Sequence, residues 1–407
     1  VSGDPLHPAI VWQDRRTARR CDELRAAGRE PLVRERTGLV LDPYFSGTKI
    51  QWLLEHVSGL RESVLRGRAV FGTVDSWLLF KLTGEHVTDP SNASRTMLYD
   101  IAGGRWDPDL LDLLGVPVAS LPRVLPSAGV MGETRPSALH GHAVPVAGVA
   151  GDQQAALFGQ ACVDPGMGKN TYGTGSFLLS NTGFKRSEPP HGLLRTIAWG
   201  IGASSTYALE ASIFVTGAAV QWLRDGLRII DAAAETEALA ESLEGNEGVY
   251  FVPALTGLGS PHWDPDARGT IVGLTRGSGR AQLARATLEA VAYQTVDAVR
   301  AMESASGEAL PELRADGGAT VNGWLMQFQA DVLGVPVVLP ETAETTALGA
   351  AFLAGVGVGL WTVNDIRSGW RERIRYEPRM GEDERASLLA GWGDALARTR
   401  GAGAPGR

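Results

Sequence analysis

Residues 143–160 read AVPVAGVAGDQQAALFGQ. A β-type apolar run from Ala143 to Ala150 meets a glycine, and an acid, Asp152, stands where a helix begins. The alternation recurs along the chain. Strands are expected at Lys169–Tyr172, Ser176–Asn181, Leu194–Trp199 and Val249–Val252, and helices at Ala218–Arg228, Arg280–Ala301 and Trp324–Leu333. Strands that alternate with helices build parallel or mixed sheets covered by helices, so the fold class is α/β. Upstream, Ala9–Trp12 reads as a short buried strand and Arg15–Ala27 as a charged helix. A second helix starts near Thr48 after a loop at Gly38–Ser46, and Phe71–Leu82 has helical spacing. Ala347–Trp361 (ALGAAFLAGVGVGLW) is shorter than the roughly 20 apolar residues that span a bilayer. Its glycines and alanines suit close backbone packing, and it reads as a buried helix.

A chain of 407 residues exceeds one ordinary core. A cut near Gln160 divides it into domains 1–160 and 161–407 and leaves Asp152 beside the boundary, a common place for ligands. The net charge of −8 argues against nucleic acid and anionic membranes as partners. The two cysteines, Cys21 and Cys162, make no disulfide framework, and with no secretory signal visible they point to the cytoplasm. In that compartment the Asn92-Ala93-Ser94 sequon carries no meaning. The Gly401–Arg407 tail is expected to fray.

Several lures fall away on spacing. Gly166-Met167-Gly168-Lys169-Asn170 lacks the Ser or Thr that follows a phosphate-loop lysine, Gly173-Thr174-Gly175 lacks the third glycine of a dinucleotide fingerprint, and the seven histidines show no metal-ligand spacing. Asp152 remains. At a strand end before a helix it suits a general base or a water-mediated Mg2+ contact, and equally a helix cap. Thr171-Tyr172-Gly173-Thr174-Gly175-Ser176 reads as a hairpin turn whose NH groups could hold an anion, or as a tight turn and nothing more. Asp316-Gly317-Gly318-Ala319, with Asn322 in the first turn of the next helix, offers bare backbone to a flat ligand or forms a plain turn.

In this order the three elements, GDQQAALFGQ, NTYGTGSF and DGGATVNGWLMQFQADVLG, resemble the FGGY carbohydrate kinases. WQDRRT (12–17), TGLVLDPYFSGTK (37–49), FGTVDSWLLFKLTG (71–84), NASRTML (92–98), TGLGSPHWDPDARG (256–269) and TALGAAFLAG (346–355) extend the likeness. It runs from about Ala9 to Asp365, and WQDRRT and DPYFSGTK are similar to the branch of the family that phosphorylates glycerol. The resemblance implies an actin-like ATPase fold, two RNase H-like α/β domains around a cleft. It implies phosphorylation of glycerol to sn-glycerol 3-phosphate, ATP and Mg2+ as cofactors, and a homo-oligomer, dimer or tetramer.

By the same resemblance Asp152 is the catalytic base and lies beside the metal, and Gln153 bonds a glycerol hydroxyl. Trp12, Tyr44 and Phe177 wall the pocket. Gly173 and Thr174 contact the ATP phosphates, and Gly217, Gln221, Gly318 and Asn322 surround the nucleotide. From the residues alone the aromatics read as core, Gln221 as one residue of a solvated helix face, and Asp264-Pro265-Asp266 as an Asp-capped turn.

Family members begin with an Asp-x-Gly-Thr phosphate loop and an Arg-Glu pair that clamps glycerol. Neither pattern occurs before Trp12. The chain as given is therefore expected to lack the first strands of its N-terminal domain, to expose sheet edges, and to show little or no kinase activity. No segment matches the Gly/Arg loop by which some members bind a sugar bisphosphate, and His140 and His142 read as solvent-exposed loop residues. Two alternatives stand: a related kinase for another polyol or ketose, against which the three aromatics count, and a non-catalytic sugar or nucleotide sensor, against which Asp152 counts.

Overall fold

The computed structural model describes residues 2–185 and 192–401, so the tail beyond Gly401 lies outside the described residues. A nine-stranded mixed sheet forms the backbone of the molecule. Its strands in chain order are β1 (Ala128–Glu133), β2 (Pro145–Gly148), β3 (Gly168–Tyr172), β4 (Ser176–Gly183), β5 (Leu194–Ile201), β6 (Ser204–Ile213), β7 (Leu313–Asp316), β8 (Val337–Pro340) and β9 (Glu372–Tyr376). Across the sheet they run β9-β8-β7-β3-β4-β6-β5-β1-β2. The centre is an antiparallel meander of β3, β4, β6 and β5, while β7 pairs in parallel with both β3 and β8. A single parallel pair, Ala128 with Ile201, joins β1 to β5, so the sheet takes strands from both sides of Gln160.

Six helices matter below: α1 (Ser46–His56), α2 (Asp152–Gly159), α3 (Gly217–Gln221), α4 (Arg280–Ser306), α5 (Gly323–Leu333) and α6 (Thr345–Gly357). One core, with Tyr293 and Val296 of α4, Phe328 of α5 and Leu313 of β7, fills the C-terminal half. A second gathers Phe45, Leu54, Met97 and Leu110 in the N-terminal half. A third joins the halves, because Leu157 and Phe158 of α2 meet Leu179, Trp199 and Leu353. Between α2 and α6 the backbones nearly touch: a Cβ on Gly349 would lie 1.8 Å from the Ala155 carbonyl oxygen, and one on Gly159 would lie 2.0 Å from that of Thr345. Only glycine permits this approach.

Four expectations need correction. Ala9–Trp12 is a loop, and Val11 and Trp12 are 57% and 53% exposed, because among the described residues no strand lies beside them to pair. The regular helix expected over 218–228 is the short α3 followed by a π-helical turn, Trp222–Gly226. The apolar run after Ala347 is only half-buried: Thr345, Gly349, Leu353 and Gly355 face inward while Ala347, Ala351 and Leu360 are exposed. The strand β6 was not expected, since its polar start, Ser204-Ser205-Thr206, masks the fully buried run from Tyr207 onward. By contrast the Asp264 turn forms as read, its Oδ1 accepting the Asp266 and Ala267 NH groups at 3.0 Å. His140 and His142 are exposed.

Candidate functional site

Strand β2 delivers the chain to Gly151, the N-cap of α2, and Asp152 is the first helical residue. Its carboxylate is exposed rather than buried, and Oδ1 accepts the Gln153 NH at 2.7 Å. The carboxylate thus satisfies one of the free NH groups of the first turn, and among the described residues it makes no ion pair. The reading of Asp152 as the helix cap does not hold, because Gly151 occupies that position and Asp152 is already helical; the side chain takes one first-turn NH and otherwise stands free. The turn before it is fixed from the N-terminal half, where Ser91 Oγ accepts the Gly151 NH at 2.9 Å. The next residues are fixed from the sheet: Gln154 Nε2 donates to Thr196 Oγ1 at 3.2 Å.

The glycine stretch is the β3–β4 hairpin, with Tyr172 opposite Ser176 and the Gly173 NH on the Gly175 carbonyl at 2.8 Å. The start of α3 docks on this turn. The Gly217 NH bonds the Gly173 carbonyl at 3.0 Å, and the Thr216 and Ala218 NH groups bond the Thr174 carbonyl at 2.9 and 3.0 Å. A Cβ on Gly217 would come within 2.7 Å of the Gly173 oxygen, so glycine is required for the contact. On the other flank Gly317, with φ of 94°, passes so close to Tyr172 that a Cβ would meet its carbonyl oxygen at 2.4 Å. The turns bearing Gly217 and Gly318 therefore bracket the hairpin, and Thr174, Gly318 and Gln221 are exposed around it.

Asn322 caps α5 through Leu325 NH at 2.8 Å and reaches Thr236 with its Nδ2 at 3.4 Å, so much of its bonding capacity is structural. The carboxylate of Asp316 turns inward, accepting from Thr345 Oγ1 at 2.6 Å and Gln160 Nε2 at 2.9 Å.

Of the aromatic set, Trp12 and Tyr44 meet, with ring centroids 5.5 Å apart. Asp42 shapes the Tyr44 turn by accepting the Tyr44 NH at 2.8 Å. Phe177, half-buried on β4, touches no other aromatic ring among the described residues.

Four charged residues behind these walls escape a sequence reading. Lys49 of α1, buried, donates from Nζ to the carbonyls of Val11 at 2.7 Å and Tyr44 at 3.2 Å, and so ties the Trp12 loop to the Tyr44 turn. Burial pushes its ammonium below the ordinary lysine range. Arg95 lies over the rings of Tyr44 and Phe45 and bonds Glu210 of β6 at 2.7 Å. Burial raises the Tyr44 phenol above its ordinary value, while the Arg95 guanidinium beside it pulls the other way. Lys169 of β3, fully buried, donates to Gln153 Oε1, to Thr171 Oγ1 at 2.8 Å and to the Phe177 carbonyl at 3.4 Å. The one available signal for it is period-two spacing, which puts Lys169 and Thr171 on one face of the strand.

One lysine thus binds the acid-bearing helix to a glycine hairpin that two glycine turns bracket. Residues 2–159 match the N-terminal domain and residues 168–358 the C-terminal domain described for the FGGY family of carbohydrate kinases, and the chain belongs to that family. It is 57% identical over 398 residues to a glycerol kinase of Geobacillus kaustophilus, covering 97% of this chain and 80% of that protein. Glycerol kinase 2 of Thermotoga maritima is also 57% identical, over 403 residues, 98% of this chain and 81% of that one. Among solved structures, Plasmodium falciparum glycerol kinase with ADP superposes with a TM-score of 0.93 at 36% identity, over 98% of this chain and 80% of its own. A xylulose kinase from Rhodospirillum rubrum gives 0.85 at 26%, over 97% and 80%.

Proposed function

We propose that the reaction this chain serves is transfer of the γ-phosphoryl group of ATP to a terminal hydroxyl of glycerol, giving sn-glycerol 3-phosphate. The low activity expected of the 407 residues alone is checked by assaying them directly, and robust ATP-dependent phosphorylation of glycerol would refute it. Identity of 57% to glycerol kinases, against 26% to a xylulose kinase, favours glycerol over a ketose. The observation that carries the reading is the lysine bridge: the residue after Asp152 is bonded to the same Nζ as Thr171 and Phe177, one from each strand of the glycine hairpin.

In this reading Asp152 takes the proton of the attacking hydroxyl. Its exposed carboxylate, without a cation partner among the described residues, is free to do so. Gln153 binds a hydroxyl, and Trp12, Tyr44 and Phe177 cover the carbon chain, which strengthens the hydrogen bonds beneath them. The Gly173–Thr174 turn, Gly217, Gln221, Gly318 and Asn322 receive the nucleotide. Among the described residues no group of three or more His, Cys, Asp or Glu could hold a metal. A lone exposed carboxylate suits Mg2+ that arrives on the nucleotide, since that ion keeps its waters and takes one or two carboxylates beside phosphates. When bound it would neutralise charge on the phosphate oxygens.

Two domains meeting near Gln160, a cytoplasmic location and a homo-oligomer complete the proposal. Among the described residues no helix is long and apolar enough to cross a membrane. The test is Asp152→Asn in the full-length protein. Turnover should fall by about 10²–10⁴-fold, the usual worth of a general base, with ATP affinity kept. Near-normal turnover would remove Asp152 from the role.

A further inference from the structure

Lys169 is the most deeply buried cation of the described residues, at 0% exposure, and no carboxylate lies within ion-pair distance of it. A buried, unpaired ammonium is costly, and such groups concentrate where a protein has a use for them. Burial pushes this one below the ordinary lysine range, while the more distant carboxylates of Asp316, Asp152 and Glu210 push it back. Its three contacts are Gln153 Oε1, Thr171 Oγ1 and the Phe177 carbonyl, which match the three N–H donors of an ammonium.

The contact with Gln153 has a chemical consequence. A lysine ammonium only donates, so the atom of the Gln153 amide that meets it must be the oxygen. The amide cannot flip without setting NH2 against NH3+. Its own NH2 group is left over, and among the described residues it donates to nothing. Gln153 is half-buried and stands next to the exposed Asp152, so the unspent donor belongs to the open side of the residue.

We infer that Lys169 is a positioning residue for the phosphate acceptor: by holding the Gln153 amide oxygen it makes Gln153 a donor toward a substrate hydroxyl oxygen. A hydroxyl held in this way keeps its own proton free to bond the neighbouring Asp152. The inference rests on the reading of Asp152 and Gln153 as the glycerol end of the site. It further assigns a preference for acceptors whose oxygen can accept a hydrogen bond at that position.

The test is a double-mutant cycle in the full-length protein, with glycerol affinity read by isothermal titration calorimetry, glycerol and ATP KM by coupled assay, and folding by circular dichroism. Lys169→Met should weaken glycerol by about tenfold, the worth of one well-placed hydrogen bond. ATP KM should move less than about twofold, because the hairpin backbone is held independently by α3. In a Gln153→Ala background the same substitution should change glycerol affinity little. Equal weakening in both backgrounds, or none in either, overturns the inference and leaves the glycerol reading standing. Unchanged glycerol affinity in Gln153→Ala alone overturns the reading of Gln153 and this inference with it. Should Lys169→Met not fold, Lys169→Gln keeps a neutral donor toward Gln153: glycerol affinity within about threefold of the parent supports the inference, and full loss overturns it.

Discussion

The crossing of α2 and α6 lends itself to a quantitative test, because it holds the helix that carries Asp152. In Gly349→Ala the new Cβ would lie 1.8 Å from the carbonyl oxygen of Ala155, whereas ordinary contact begins at 3.4 Å. The obstacle is backbone, with the Ala155 carbonyl carbon at 2.6 Å and the Gly159 nitrogen at 2.9 Å behind it, so no side-chain rotation relieves it. The helices must part by about 1.6 Å or distort, and overpacking of this kind costs about 1–3 kcal/mol.

A urea titration followed by circular dichroism should show the midpoint falling by up to about 1 M at a slope near 3 kcal/mol/M. Because Asp152 sits in the first turn of α2, a shift of about 1 Å there should also lower turnover by up to about 10²-fold. Gly393→Ala is the control. It replaces a helical glycine with nothing within 4 Å and should stabilise by about 0.4–1 kcal/mol. If Gly349→Ala unfolds at the parent's midpoint, the close backbone contact is not what holds α2, and the reasoning fails.

Arg95→Met should destabilise by about 3–5 kcal/mol, because it strands Glu210, 1% exposed, without its cation. The double variant Arg95→Met/Glu210→Gln should recover most of that loss, and denaturant midpoints of the set will check it. His86 donates from Nε2 to the Phe71 carbonyl at 2.7 Å, yet burial outweighs this bond and holds its imidazole below the ordinary value of 6.5. The unfolded chain therefore takes the proton first as pH falls. The stability contributed by neutral His86 is whole above pH 6.5 and declines below it. Between about pH 7 and 5 the urea midpoint should fall less in His86→Gln than in the parent. An identical pH slope in both proteins would show that His86 does not titrate differently on folding.

Much of the fold follows from local pattern. The run into Asp152, the β3–β4 hairpin and the helices α1, α4 and α5 stand where apolar spacing and turn residues place them, because those signals act over a few neighbouring residues. The strand expected at Ala9–Trp12 fails for the opposite reason. Its apolar residues satisfy a strand pattern, but pairing needs a neighbour, and Lys49, not a strand, takes the Val11 carbonyl. The π-helical turn at Trp222–Gly226 is equally invisible locally.

For the candidate site the division is similar. Residue types and their order along the chain were enough to single out Asp152, the Thr171–Ser176 hairpin and the Gly317–Gly318 turn, and to relate them to a carbohydrate kinase, since each motif is short and contiguous. Tertiary structure alone decided what stands behind them. Lys169 meets Gln153 from 16 residues away, Lys49 meets Val11 across 38, and Arg95 meets Glu210 across 115. Each is an isolated charge in the sequence, and beyond the period-two spacing that puts Lys169 on one strand face with Thr171, nothing local distinguishes it from a solvated surface residue. Only folding removes the water around it and leaves a few fixed oxygens to meet its donors, and that necessity makes these three cations part of the frame of the candidate site.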